Sequence, residues 1–254
     1  PKDANSSSSS DDGGASAAKR LPTIVRALIT EARLADLGSF GADGRVTLDG
    51  KPVDSPALNV ATDANIRIDG NPLPARDAAR VWRYHKPQGR LTTHRDPEGR
   101  PTIFDALPAE LAHAKPVGRL DMNSEGLLLL TNDGTLARWL ELPSTGWLRQ
   151  YRVRVHGRIE AAALARLERG VKIDGTQFRP AHAALERQVG ANAWLTITIR
   201  EGKNREVRRL MAHLGYTVNR LIRTGYGPFQ LGKLPRGHVQ EVTPKILAEQ
   251  LPRT

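Results

Sequence analysis

Four consecutive leucines, Leu127–Leu130, follow a stretch rich in Gly and polar residues and run into Asn132-Asp133-Gly134. A short apolar run closed by such a turn signal predicts a buried strand. Arg149–Val155 alternates, with Tyr151, Val153 and Val155 on one face and Arg152 and Arg154 on the other. Trp194–Ile199 alternates too, with Leu195, Ile197 and Ile199 facing one way, so both segments predict half-buried strands. Arg80–Tyr84 predicts a strand entering a turn at Lys86-Pro87-Gln88-Gly89, and Glu160–Arg169 a helix closed by Gly170. In Glu201–Gly215, Val207, Leu210, Met211 and Leu214 recur as one stripe of a helix, with Asn204 as its N-cap and Gly215 as its stop. Arg205, Arg208 and Arg209 fall on the opposite stripe.

The first part of the chain is organised differently. Residues 1–20, with five serines in a row and Asp-Asp-Gly-Gly, predict a disordered tail, and they lack the apolar core of a signal peptide. From Leu21 to Arg76 lies a small unit. Thr23 can cap a helix carrying Ile24, Val25, Leu28 and Ile29, and two short alternating segments follow, Arg45–Gly50 and Ala64–Gly70, each ending in Asp-Gly. Pro72 and Pro74 mark a linker. Beyond it, few strands are joined by regular βαβ units, which predicts an α+β fold with a mixed, mainly antiparallel sheet flanked by helices.

Composition narrows the class of partner. Lys plus Arg number 38 against 27 Asp plus Glu, a net charge of +11. The charges of residues 1–20 cancel, so the remaining body carries the whole excess, with Arg far more frequent than Lys. That is the footprint of a polyanion binder using bidentate phosphate contacts. No apolar stretch is long enough for a membrane span. With no cysteine, disulfides, thiolate metal sites and a thiol nucleophile are excluded, which suits a cytoplasmic protein. The seven histidines show no metal-ligand spacing, and no metal is expected.

Two constellations carry candidate chemistry. Asp121 sits two residues after Arg119, at the mouth of the predicted leucine strand. A carboxylate fixed there can act as a nucleophile or base, although Arg119 and Asp121 can also form a mere turn pair. The second is the basic helix and its surroundings. Glu201–Gly225 holds six basic residues against two acidic ones, Arg220 and Arg223 among them, and points to RNA or DNA.

Three ordered blocks then carry a resemblance. Tyr84-His-Lys-Pro-Gln-Gly89 continues to Asp96–Asp105; Gly118-Arg-Leu-Asp-Met-Asn-Ser-Glu-Gly126 runs through the leucines to Gly134; and Glu201-Gly-Lys-Asn-Arg-Glu-Val-Arg-Arg-Leu210 follows. Together they resemble the RsuA family of pseudouridine synthases, in particular its RluB branch, over about residues 81–243. The resemblance implies conversion of a uridine in 23S rRNA, free or in an assembling large ribosomal subunit, by a monomer without cofactor. Asp121 matches the family's essential aspartate, Tyr151 the tyrosine that packs on the target base, and Arg208 the basic residue that pairs with the aspartate. Arg119 matches an arginine associated with the flipped-out nucleotide, and Lys86, Lys203, Asn204, Arg205 and Arg209 complete the implied RNA contacts. The family's organisation implies an S4-like RNA-binding domain at 21–76 and the catalytic domain at 77–254. Ala35–Gly41, however, lacks the paired arginines usual in the S4 module, and the loop at Glu186–Asn192 is short for that branch.

The chemistry of these residues fits that assignment. A base within folded RNA must be extruded, and a stacking ring must hold it. Small-subunit rRNA or tRNA would serve the same chemistry, and a non-catalytic ribosome-assembly factor would use the same basic face. A glycoside hydrolase would pair Asp121 with Glu125 or Asp133.

Overall fold

The computed structural model describes Lys19–Arg20 and residues 45–53, 59–60, 65–72 and 78–250. The expected helix from Thr23 and the stretch Ala35–Gly41 lie outside the described residues, as does most of the expected tail. Lys19–Arg20, expected in that tail, instead forms a short strand antiparallel to Asn59–Val60. The chain divides after Asp77 into two compact units.

In the first unit the two alternating segments form strands as expected and pair with each other, Val46 opposite Ile68 and Leu48 opposite Ile66. Asp49-Gly50 and Asp69-Gly70 all have positive φ, which two-residue hairpin turns demand and Asp-Gly supplies. Each turn returns into a two-residue edge strand, Lys51–Pro52 or Asn71–Pro72, so Pro72, expected in the linker, closes the sheet. Pro lacks an N–H, and an edge is where a sheet tolerates it.

In the second unit we number the elements in chain order. These are β1 (Val81–Lys86), β2 (Lys115–Val117), β3 (Glu125–Thr131), α1 (Gly134–Glu141), β4 (Arg149–His156), α2 (Ala161–Ala165), β5 (Val171–Ile173), β6 (Thr176–Phe178) and β7 (His182–Val189). They continue with β8 (Asn192–Ile199), α3 (Glu206–His213), β9 (Thr217–Tyr226), β10 (Phe229–Gln230), β11 (Val239–Glu241) and α4 (Pro244–Gln250). A nine-stranded sheet runs β7-β8-β4-β9-β3-β1-β11, with β10 beside β9 and β2 beside β3. Every pairing is antiparallel except β3 with β9. The mixed, mainly antiparallel sheet follows the sequence pattern.

Burial explains the strands. All seven residues of β3 are buried, because the sheet is covered on both faces there. Tyr151, Val153 and Val155 of β4 and Leu195, Ile197 and Ile199 of β8 face one core, with Val207, Leu210 and Met211 of α3 upon it. The opposite residues of β4, Arg152 and Arg154, are exposed. Leu127 and Leu129 enter a second core and Leu128 and Leu130 a third, one on each side of β3. The stretch Glu186–Asn192, expected as a loop, belongs to the β7–β8 hairpin, whose turn is only Gly190-Ala191.

The parallel contact between β3 and β9 is very close. A Cβ on Gly126 would lie 2.3 Å from the carbonyl oxygen of Arg223, and Gly126 has φ +111°. Only glycine fits both the space and the dihedral.

Candidate active site

Asp121 lies on the loop between β2 and β3, and the main-chain carbonyls from Leu120 to Ser124 are all held. The Lys86 ammonium, at the end of β1, donates to the carbonyls of Asp121 (3.1 Å), Ser124 (3.0 Å) and Pro87 (3.0 Å). Thr92 Oγ1 donates to Leu120 O, Gly89 N to Met122 O, and Arg208 Nη2 to Asn123 O at 2.9 Å. The backbone is therefore fixed while the Asp121 side chain stays 37% exposed. A carboxylate on a rigid mount with an open approach suits nucleophilic chemistry.

That carboxylate opens into a cavity of about 800 Å³, whose walls include Arg119, Tyr151, Lys203, Asn204 and Arg205. Tyr151 is held by strand pairs on both sides, with Ile197 and with Arg223, and is 8% exposed. Ile199, Val207 and Leu221 supply apolar wall. A flat base inserted there would meet a phenol ring on a rigid strand. The volume lies within the roughly 300–1,000 Å³ typical of small-molecule sites.

Several expected roles change. Arg208, expected to pair with the aspartate, donates to Asn123 O and to Val218 O, tying the Asp121 loop to β9, and feels the Asp121 charge without a direct ion pair. Its guanidinium is partly buried, and burial with Arg205 nearby lowers its pKa. The cation nearest the carboxylate is Arg205, with Nη1 3.8 Å from Asp121 Oδ2. Lys86, expected to touch RNA, is fully buried and spends its three donors on carbonyls; burial lowers its pKa to about 8 despite the pull of Asp121. Arg209 lies against the Phe178 ring and donates to Ile173 O, away from the cavity wall. Asn204 does not cap α3. The cap position is Arg205, in the left-handed conformation at φ 50°, and no side chain caps the helix there.

Other residues of the site carry little signal in the sequence. Glu206, at the start of α3, is 3% exposed and lines the cavity. Its Oε2 accepts the Lys203 N–H at 2.9 Å, its Oε1 has no partner, and burial raises its pKa to about 7. Arg223 is also 3% exposed; it donates to Leu127 O at 2.7 Å and lies over the Tyr226 ring. Arg149 is buried beside it and donates to Trp147 O, Arg200 O and the Tyr226 hydroxyl. Acid and base at these positions read as surface charge, because only the fold shows that they are inside.

The carboxylates that a glycoside hydrolase would pair with Asp121 are engaged elsewhere. Glu125 is buried and ion-paired with Arg220 and Arg236. Asp133 accepts N–H bonds from Thr135 and Leu136 as the cap of α1. Among the described residues no cluster of three or more His, Asp or Glu could hold a metal ion, and no helix is long and apolar enough to cross a membrane.

Comparison with known proteins agrees with this geometry. The family model for RNA pseudouridylate synthase matches residues 80–213. An uncharacterised RNA pseudouridine synthase of Rickettsia prowazekii is 42% identical over 208 residues, 82% of this chain and 88% of the relative. Ribosomal large subunit pseudouridine synthase B of Pasteurella multocida is 46% identical over 209 residues, 79% of this chain but 60% of the longer relative. A solved pseudouridylate synthase superposes with a TM-score of 0.64 and 25% identity, covering 91% of this chain and 99% of that one. With that match over half its length and relatives this similar, the chain belongs to the RNA pseudouridylate synthase family and is an enzyme of that kind.

Proposed function

We propose that this enzyme isomerises a uridine of 23S rRNA to pseudouridine, with Asp121 as nucleophile on a base extruded from the RNA. The observation that carries the reading is the placing of the Asp121 carboxylate and the Tyr151 ring on the walls of one cavity rimmed by Arg119, Lys203 and Arg205. The identity to large-subunit synthase B supports the choice of substrate, which would place the enzyme in the cytoplasm.

In this reading the basic rim takes the phosphates beside the target, and Tyr151 packs on the uracil. The Asp121 carboxylate attacks either the ribose C1′ or the base C6. On either route the N1–C1′ bond breaks, the base turns to present C5, a C5–C1′ bond forms, the bond from Asp121 to C1′ or C6 breaks to free the carboxylate, and C5 gives up its proton while N1 gains one. Atoms balance, and no oxidant or phosphoryl donor is required. Arg205, with Nη1 3.8 Å from the Asp121 carboxylate, is placed to swing to a phosphate when RNA arrives. Residues 21–76 would form an S4-like RNA-binding domain and 77–254 the catalytic domain, a division supported by the split of the chain into two compact units after Asp77.

The test is a chemical pseudouridine map of rRNA from cells lacking the gene, complemented with wild type or Asp121→Asn. One 23S site should vanish and return only with wild type. An unchanged map defeats the substrate, and rescue by Asp121→Asn defeats the mechanism.

A further inference from the structure

On the sheet face opposite the cavity, four strands place one row of side chains in register. Arg187 of β7 stands opposite Trp194 of β8, Trp194 opposite Arg154 of β4, and Arg154 opposite Arg220 of β9. At about 4.8 Å per strand the row extends a line of cations interrupted by one indole. Arg152 adds a fifth member: its guanidinium lies 4.5 Å from the Trp194 ring centroid and is clamped by Glu186 at 2.7 Å.

This arrangement is costly as a purely structural device. Like charges directly opposite on adjacent strands repel, yet Arg154 faces Arg220. Arg220 is neutralised by the buried Glu125. Arg154 and Arg187 are exposed, and among the described residues neither has a carboxylate within ion-pair distance. Two free guanidinium groups flanking an indole that already meets two cations, Arg152 and Arg220, match a strand of phosphates with a base between them.

We propose that this row is a second RNA contact, in which Arg154 and Arg187 take phosphates and Trp194 takes a base of a segment passing behind the sheet, away from the target uridine. The contact rests on RNA being the substrate but not on which uridine is modified. It gives the enzyme a hold on the RNA flanking its target and leaves the reacting groups untouched.

A labelled oligoadenylate, which offers the cavity no uracil, tests the contact by fluorescence anisotropy across a salt series. Arg154→Ala/Arg187→Ala should weaken binding about tenfold and flatten the salt slope by about 0.7 per lost phosphate contact. Trp194→Leu should weaken oligoadenylate binding while leaving labelled polyglutamate unchanged. Pseudouridine formation in 23S transcript by the double variant should keep its kcat and show a raised KM. Unchanged affinity and salt slope in the double variant overturn the proposal. Equal loss of polyglutamate and RNA binding in Trp194→Leu overturns it as well, marking a surface for acidic protein. None of these binding results depends on turnover, so they stand apart from the pseudouridine map.

Discussion

The Lys86 ammonium, with no exposure to solvent, holds the main-chain carbonyl of Asp121 at 3.1 Å from a different strand. It spends its charge on the mount of the candidate nucleophile. Lys86→Met keeps the length and loses the donors, taking away a hydrogen bond from each of three carbonyls, of which Asp121 O keeps the Ser124 N–H. It should cost about 2–4 kcal/mol of stability and lower kcat at least about a hundredfold, with RNA affinity within about threefold. Thermal unfolding, single-turnover rates and a binding isotherm check this, and a selective loss of RNA affinity would contradict it.

Arg208 ties the same loop to β9 through Asn123 O and Val218 O. Arg208→Ala should reduce turnover by more than tenfold, about 1.4 kcal/mol or more in the barrier, with little change in RNA binding. Arg205→Ala should instead weaken binding and flatten its salt dependence, because that side chain is exposed at the cavity rim. The contrast between the two variants is the informative measurement.

Gly126→Ala introduces a methyl group 2.3 Å from the Arg223 carbonyl, at a dihedral that L-residues avoid. Destabilisation of roughly 3 kcal/mol or more follows from strain and displaced strands. Gly99→Ala, where φ is also positive but the space is open, should cost only about 1 kcal/mol. Paired denaturant titrations separate the clash from the dihedral.

Glu206 carries a pH signature. Its pKa is raised by burial from 4.5 to about 7, so between these values the folded state holds a proton that the unfolded state has released. Its contribution to stability is therefore full below about pH 4.5 and is lost as pH rises through 7, by up to about 3 kcal/mol. Glu206→Gln should remove that part of the decline. The check is unfolding free energy at several pH values from 4.5 to 8 for both proteins, and parallel curves would contradict it.

The elements most visible in the sequence are those whose local pattern and tertiary role coincide. The Leu127–Leu130 run and the alternation at Arg149–Val155 are buried as their patterns predict, and Asp49-Gly50 and Asp69-Gly70 make the turns that Asp-Gly favours. The three family blocks locate Asp121, but their order along the chain says nothing of which cation faces it. Arg205 and Arg208 differ by three positions on the same end of one helix, and only packing against β9 sends one to the carboxylate and the other to backbone carbonyls. Lys86 and Glu206 do not read as interior groups in the sequence for a similar reason. Each follows a polar residue, His85 or Arg205, and what buries them arrives from distant strands.

Strand β9 lies in the sheet between β3, which follows Asp121, and β4, which carries Tyr151. The two site residues are near in sequence, yet the seam between their strands is closed by a segment made about seventy residues after Tyr151. On a ribosome still translating the chain, β3 and β4 would emerge as strands with no partner to join them. Insertion of β9, with its demanding approach at Gly126, is thus the slow long-range event that folding must wait for. The enzyme acquires its active site all at once and late, so a chain cut short before Tyr226 holds both residues and no catalyst.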